Sequence, residues 1–375
     1  MNNSNNSSTT IARDSAGGLS AVTVCRPCFK KFYITVTSEK DGPYQMFDTL
    51  GRFVKENDVR IVSQDVFGCC RLHAEGLRAL ERACGLIEWP VTWIEGDGSA
   101  QKTLTGTQVY AISGASVRPI RLGGYIVGNT FEDEDARYCL LGDLRAADIV
   151  SSRPQQARQT FEQMEAALEH AGMNFSNVVR TWLYIDKILS WYDEFNKVRT
   201  NFFAERRVFD GIVPASTGIG AGNCAGVALV GEAFALRAKK QNVEVCAVPS
   251  PLQCPAPEYN SSFSRAVEVA LPDHRRLYVS GTAGIEPSGK TAHIGDPAKQ
   301  ISLTMEVVAA ILQSRRMTWA DVSRAIAYFK DIKDALLLDQ YCKKNRLPAL
   351  PIATAHGDIC RDDLLFEIEV DAVVV

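Results

Sequence analysis

The chain has 375 residues, of which 46% are hydrophobic and 23% are charged, a balance typical of globular proteins with two or three domains. Its formal net charge of -3, with no Lys/Arg-rich run, argues against nucleic acid as a partner. No apolar run approaches the roughly eighteen residues of a membrane span, and no signal pattern opens the chain, so we expect a cytoplasmic protein without a membrane partner.

The cysteines and histidines predict neither a disulfide framework nor a metal site. The eleven cysteines are odd in number and scattered, so most are expected to be reduced core residues. Cys25 and Cys28 form a lone CxxC without a second pair, and the five histidines lack ligand spacing. We therefore expect no metal and no cofactor.

The pattern of elements predicts a tail followed by three similar modules. Residues 1–18 are polar and nearly devoid of large apolar side chains, which predicts a disordered tail. The modules are expected over residues 19–115, 116–242 and 243–375, the first of them degenerate. Each follows the order strand, strand, helix, strand, helix, strand, strand, which defines an α+β fold.

The predicted elements of the three modules share this order. In the first they are strands between 24 and 36, a helix at 45–56, a strand at 60–67, a helix at 72–84, and strands at 90–94 and 106–113. In the second they are strands at 120–128 and 137–144, a helix at 154–170, a strand at 178–185, an aromatic-rich helix from 191, and strands at 214 and 228. After a predicted connector at 239–257, the third has strands at 263–270 and 277–285, a helix at 297–313, a strand at 323–329, a helix at 335–344, and two closing strands.

A constant spacing of identical residues indicates that the last two modules are copies of one another. Six residues recur 144 positions later: Gln156, Leu168, Met173, Val178, Arg180 and Tyr184 match Gln300, Leu312, Met317, Val322, Arg324 and Tyr328. Four more recur 137 positions later: Pro214, Thr217, Gly220 and Glu232 match Pro351, Thr354, Gly357 and Glu369. Internal repeats of this kind indicate duplication.

The last strand carries the candidate catalytic residue. Alternation along a strand places Glu367 and Glu369 on one face and Phe366 and Ile368 on the other. In the second module Val230 stands at the position of Glu367, so one copy has a carboxylate that the other lacks. This is the pattern of a duplicated scaffold with one working site.

These motifs together resemble a known family. The chain is similar to the Rid superfamily (YjgF/YER057c/UK114) in Tyr-Val-Ser-Gly-Thr-Ala at 278–283, Gln300 early in the helix, and Phe-Glu-Ile-Glu at 366–369. It resembles the tandem chorismatase branch in Arg-Thr-Trp-Leu-Tyr at 180–184, Pro-Ala-Ser-Thr-Gly-Ile-Gly at 214–220, Tyr259 ahead of Ser-Phe-Ser-Arg-Ala at 262–266, and Cys-Arg at 360–361 before Leu-Leu-Phe-Glu at 364–367. Rid proteins are homotrimers with pockets between subunits, so the resemblance implies an intramolecular pseudo-trimer, monomeric or further associated.

The resemblance also implies an activity and a set of site residues. It implies cofactor-independent hydrolysis of an enolpyruvyl or related carboxylated metabolite, with Glu367 as the general acid. It implies that the substrate contacts a set of arginines, hydroxyl groups and small side chains, namely Arg180, Tyr184, Tyr259, Arg265, Thr282, Ala283, Cys360 and Arg361. A buried strand position would keep the Glu367 carboxyl protonated near neutral pH.

Two other functions remain open at this point. A non-catalytic binding or regulatory protein of the same superfamily would have the same fold. An imine or enamine deaminase is less favoured, because the arginine that those enzymes use corresponds to Ile352. The P-loop pattern at 284–291 is discounted, because a phosphate-binding loop needs a helix that begins at its Lys-Thr and this helix is expected to begin only at Pro297.

Overall fold

The structure is a computed structural model that describes residues 9–38, 42–96, 103–259 and 261–375. It consists of three modules, each a mixed β-sheet with helices on one face, as the α+β repeat predicts. No helix in these ranges is both long and apolar enough to cross a membrane.

The first module contains six strands of its own and two helices. These are β1 (Thr10–Ala16), β2 (Leu19–Arg26), β3 (Phe29–Thr37), α1 (Gln45–Asn57), β4 (Arg60–Gly68), α2 (His73–Cys84), β5 (Val91–Glu95) and β6 (Leu104–Ser113). Its sheet has the order β1-β2-β3-β6-β4-β5 and is extended by one short strand from the second module.

The second and third modules repeat this plan. The second has β7 (Arg118–Leu122), β8 (Tyr125–Glu132), β9 (Ala136–Arg145), α3 (Arg153–His170), β10 (Val178–Ile185), α4 (Tyr192–Glu205), β11 (Ala215–Gly220), β12 (Gly222–Asn223) and β13 (Leu229–Ala238). The third has β14 (Glu244–Val248), β15 (Ala266–Ala270), β16 (Arg275–Ala283), α5 (Pro297–Ser314), β17 (Val322–Phe329), α6 (Ala335–Lys344), β18 (Ile352–His356) and β19 (Phe366–Val374). Their sheets run β11-β10-β13-β9-β8-β7 and β14-β15-β16-β19-β17-β18.

Three predictions about these elements were wrong. Residues 10–16 of the predicted tail form β1, which pairs antiparallel with β2, while residues 1–8 lie outside the described ranges. The predicted connector at 239–257 contains β14, which pairs with β15. The predicted strand at 120–128 is a hairpin of β7 and β8. Strands β1, β7 and β14 lie at sheet edges and obtain their stability from a neighbouring strand, so their own sequences do not reveal them.

The long helices form where the repeat predicts them. In α3 the side chain of Gln155 caps the helix start at Ser152, and in α5 the Asp296 side chain accepts a hydrogen bond from the Lys299 amide. The apolar stripe of α3, including Phe161, Met164 and Leu168, is fully buried. Burial of each such side chain contributes about 1.5–3 kcal/mol.

The cores explain why three sheets assemble into one body. Each module has a core between its sheet and its helices, and a fourth core lies where the other faces of the sheets meet. Two buried tyrosines from each module enter this central core: Tyr33, Tyr110, Tyr138, Tyr184, Tyr278 and Tyr328. The modules therefore form an intramolecular pseudo-trimer in which the central strands of the sheets are buried on both faces.

Candidate active site

A cleft of about 800 Å³ opens between the second and third modules. Residues of α4 and β11 line one side, and residues of β16, β19 and the loop before β19 line the other. Five of the predicted site residues line it: Arg265, Ala283, Cys360, Arg361 and Glu367. The cleft therefore lies at an interface between modules, as the resemblance implies.

Glu367 lies on a central strand and faces this cleft. It pairs with Ala283 of β16 and with Tyr328 of β17, so strands flank it on both sides. Burial raises the pKa of Glu367 to about 8, and the Glu369 carboxylate adds to this shift, while Arg180 and Arg265 oppose it. The carboxyl group is therefore mostly protonated at neutral pH.

The backbone beside Glu367 leaves space for its carboxyl group. A Cβ atom at Gly281 would lie only 2.0 Å from the Glu367 Oε1 atom. The Gly281 amide donates a hydrogen bond to the Thr217 hydroxyl at 3.1 Å, which ties β16 to β11 of the second module. Any side chain at position 281 would therefore displace the Glu367 carboxyl from its observed position.

Glu369 organises the buried side of the site. Its carboxylate accepts hydrogen bonds from Arg180 Nη2 at 3.0 Å, Trp182 Nε1 at 2.8 Å and Arg324 Nη1 at 2.7 Å. Arg180 Nη2 also donates to the Thr217 hydroxyl at 2.5 Å. Glu369 thus links β19 to the second module, and its role is structural.

Three predicted substrate contacts do not lie on the cleft. Arg180 is completely buried behind it and acts on Glu367 through its charge. Tyr184 is buried in the central core, and the Thr282 hydroxyl donates to the Ser280 carbonyl at 2.8 Å. Strand alternation and the Glu369 ion pair turn these three side chains away from the cleft, and their predicted substrate contacts stay predictions.

Of the other predicted residues, Arg265 and Arg361 donate hydrogen bonds to backbone carbonyls, and the side chain of Tyr259 is not described. Arg265 donates to the Cys254 carbonyl at 2.8 and 3.0 Å and lies over the Phe263 ring. Arg361 donates to the Gly289 carbonyl at 2.7 Å. Tyr259 ends a short 3-10 helix, and its side chain lies outside the described part of the chain, so its predicted role stays a prediction.

Helix α4 contributes cleft residues that were not predicted from the sequence. Tyr192, Asn196 and Arg199 recur at helical spacing and line the cleft. Arg199 Nη2 donates to Asn196 Oδ1 at 2.7 Å and to the Ser261 hydroxyl at 2.8 Å, so this arginine crosses from the second module to the third. An arginine on the polar stripe of an otherwise aromatic helix was the signal that could have revealed it.

The second copy of the scaffold lacks the acid. In the third module Glu367 pairs with Tyr328 of β17, and in the second Val230 pairs with Tyr184 of β10 in the equivalent register. Val230 is buried and apolar.

Among the described residues, no group of three or more His, Cys, Asp or Glu side chains is placed to hold a metal ion. The P-loop pattern forms a small hairpin closed by a bridge between Ile285 and Thr291, and α5 begins only at residue 297.

Comparisons with known proteins agree with this architecture. The profile of the family described as endoribonuclease L-PSP matches residues 143–231 and 255–374, more than half of the chain. A chorismatase from Streptomyces rapamycinicus is 30% identical over 219 residues, which cover 52% of this chain and 64% of that protein. A 3-hydroxybenzoate synthase from Streptomyces hygroscopicus is 28% identical over 242 residues, which cover 57% of this chain and 68% of that protein.

A solved structure extends the likeness to the whole fold. The crystal structure of a chorismatase superposes with a TM-score of 0.63 at 19% identity, covering 91% of this chain and 98% of that one. The sequence match to the chorismatase from Streptomyces rapamycinicus spans less than two thirds of the length of that protein. The family match over more than half of the chain shows that this chain belongs to the endoribonuclease L-PSP family, in a tandem form whose fold is similar to that of a chorismatase.

Proposed function

We propose that the protein hydrolyses an enolpyruvyl ether of a small carboxylated compound, in the manner of a chorismatase, with Glu367 as the general acid. The observation that carries this proposal is a buried glutamic acid whose pKa is raised to about 8 and whose side chain faces a cleft lined with arginines. A carboxyl group that holds its proton at neutral pH is the group that acid catalysis requires. Similarity to a chorismatase and to a 3-hydroxybenzoate synthase supports the same reaction class.

The proposed chemistry balances without a cofactor. Glu367 transfers its proton to the terminal methylene carbon of the enolpyruvyl group, which leaves an oxocarbenium ion at the ether-bearing carbon. A water molecule adds to that carbon and loses a proton, and the resulting hemiketal breaks its C–O bond to release pyruvate and an alcohol. The carboxylate left on Glu367 is stabilised by the positive charges of Arg180 and Arg265 until it takes up a proton again.

The cleft offers groups suited to a substrate with carboxylates and a ring. Arg199, Arg265 and Arg361 all line it, and a guanidinium group binds a carboxylate through two parallel hydrogen bonds. The Phe263 ring packs against Arg265 and Arg199 and lines the same cleft. We infer that arginine side chains bind the substrate carboxylates while Phe263 contacts its apolar part.

The first test is incubation of the purified protein with chorismate, with pyruvate followed through a coupled lactate dehydrogenase assay. We expect pyruvate release by the wild-type protein and a loss of at least a hundredfold in Glu367→Gln, which keeps the shape of the side chain and removes its proton. Glu169→Gln, an exposed site on α3, is the matched control and should retain full activity.

If the wild-type protein releases pyruvate no faster than a reaction without protein, chorismate is refuted as the substrate. Full activity in the Glu367→Gln variant would refute Glu367 as the acid. Of the two other functions, a buried Glu367 that faces an open, arginine-lined cleft favours an enzyme over a non-catalytic binder. Ile352 on β18 supplies no guanidinium for a deaminase.

A further inference from the structure

Two cysteines from different modules meet at the junction between the first and second modules. Cys70 opens a 3-10 turn at Cys70–Leu72 after β4, and Cys224 directly follows β12. Their Sγ atoms lie 2.8 Å apart, although the residues are 154 positions apart in the chain. Both cysteines are present as free thiols.

Backbone pairing holds the two sulfur atoms in this arrangement. Strand β12 adds to the edge of the first module, with Gly222 opposite Glu95 and Asn223 opposite Ile94. The Asn223 side chain then fixes the turn that follows, since its Oδ1 accepts hydrogen bonds from the amides of Ala225 and Val227. The contact between the thiols is therefore imposed by the fold.

We propose that Cys70 and Cys224 form a reversible dithiol–disulfide pair that a hydroperoxide oxidises, closing a covalent bond between the first and second modules. A disulfide bond is about 2.05 Å long, so the sulfur atoms need to approach by less than about 1 Å. Among the described residues no third side chain joins the pair as a metal ligand. Oxidation is therefore the chemistry that the geometry favours.

The exposure of the two cysteines sets the order in which they react during the oxidation. Cys224 is exposed and Cys70 is half-buried, so Cys224 meets the oxidant first. Its thiolate attacks a peroxide oxygen, which gives a sulfenic acid and breaks the O–O bond. The Cys70 sulfur then attacks the Cys224 sulfur and displaces water, so that two thiols and one hydrogen peroxide give one disulfide and two water molecules.

The bond would constrain a segment that continues into the cleft. Strand β11 directly precedes β12, and its residues Ser216 and Gly218 line the candidate site. At the end of β11, Gly220 exchanges backbone hydrogen bonds of 2.7 and 3.0 Å with Asp358, close to Cys360. Because the disulfide closes a long loop, the oxidised protein should melt about 5 °C or more above the reduced protein.

The test uses the whole protein treated with hydrogen peroxide, alkylated with iodoacetamide and digested without reductant. In the wild-type protein we expect mass spectrometry to find a peptide pair joined through Cys70 and Cys224, which dithiothreitol separates. Cys246→Ser removes an exposed cysteine elsewhere and should leave the joined peptides and the rise in Tm unchanged. Cys70→Ser and Cys224→Ser should each abolish the joined peptides and the rise in Tm.

Two results would overturn the proposal. One is a wild-type protein in which Cys70 and Cys224 are oxidised or alkylated singly and never joined. The other is a peroxide-induced cross-link that joins different molecules. The wild-type digest decides between these results and the proposal by itself, so a variant that fails to fold does not weaken the test.

Discussion

Replacing Glu367 with glutamine should change the stability of the protein in a pH-dependent way, and this can be measured without knowing the substrate. The pKa of Glu367 rises from an ordinary 4.5 in the unfolded chain to about 8 in the folded protein. A group whose pKa is raised by folding supports the folded state below its unfolded pKa, and this support is lost as the pH rises through the folded pKa. The relevant window therefore runs from pH 4.5 to pH 8.

The magnitude follows from the same two pKa values. Each pKa unit corresponds to about 1.4 kcal/mol, so the wild-type protein should lose roughly 3 kcal/mol between pH 5 and pH 8 through this group alone. Glutamine does not titrate and escapes this loss. The free energy of unfolding of Glu367→Gln relative to the wild-type protein should accordingly rise by about 3 kcal/mol across this range.

Urea unfolding of both proteins at pH 5, 6, 7 and 8 measures this difference. Glu169→Gln, which changes an exposed carboxylate, is the control and should show no such trend. A difference between Glu367→Gln and the wild-type protein that stays constant from pH 5 to pH 8 would refute the raised pKa. It would also remove the physical basis of the proposed acid catalysis.

Three further predictions concern activity and packing. The rate of pyruvate release should be nearly constant below pH 8 and fall about tenfold per pH unit above it, because the proposed mechanism requires a protonated Glu367. A pH–rate profile checks this, and a rate that rises above pH 8 would contradict it. Gly281→Ala should lower activity at least a hundredfold, because its Cβ atom would displace the Glu367 carboxyl. The control Gly211→Ala adds its Cβ atom in open space and should match the wild-type rate in the same assay. Arg180→Met should lower the free energy of unfolding, measured in urea, by about 3 kcal/mol or more, because it leaves the buried Glu369 carboxylate underpaired. The control Arg207→Met breaks only an exposed ion pair. Equal losses in the two variants would refute this reasoning.

Local patterns in the sequence are sufficient to predict the repeated modules and the strand position of Glu367. Helical periodicity places α6 at its observed bounds and α1, α3 and α5 to within a residue or so, and strand alternation puts Glu367 and Glu369 on one face of β19. The constant spacing of identical residues indicates the duplication without any knowledge of the fold. These features depend on residues a few positions apart, or on identities at a fixed distance, and both are visible in the sequence.

Contacts between residues far apart in the chain determine which side chains line the cleft and where the edge strands form. Arg180 and Arg199 are both arginines of the second module, yet Arg180 pairs with Glu369 on a strand 189 positions away and Arg199 lines the cleft. Strands β1 and β14 form only because a neighbouring strand satisfies their backbone groups. The sequence by itself determined the three modules, the duplicated scaffold and the position of Glu367 on its strand. Only the tertiary structure decided which side chains reach the cleft, because ion pairs and sheet edges join residues whose separation leaves no periodic signal.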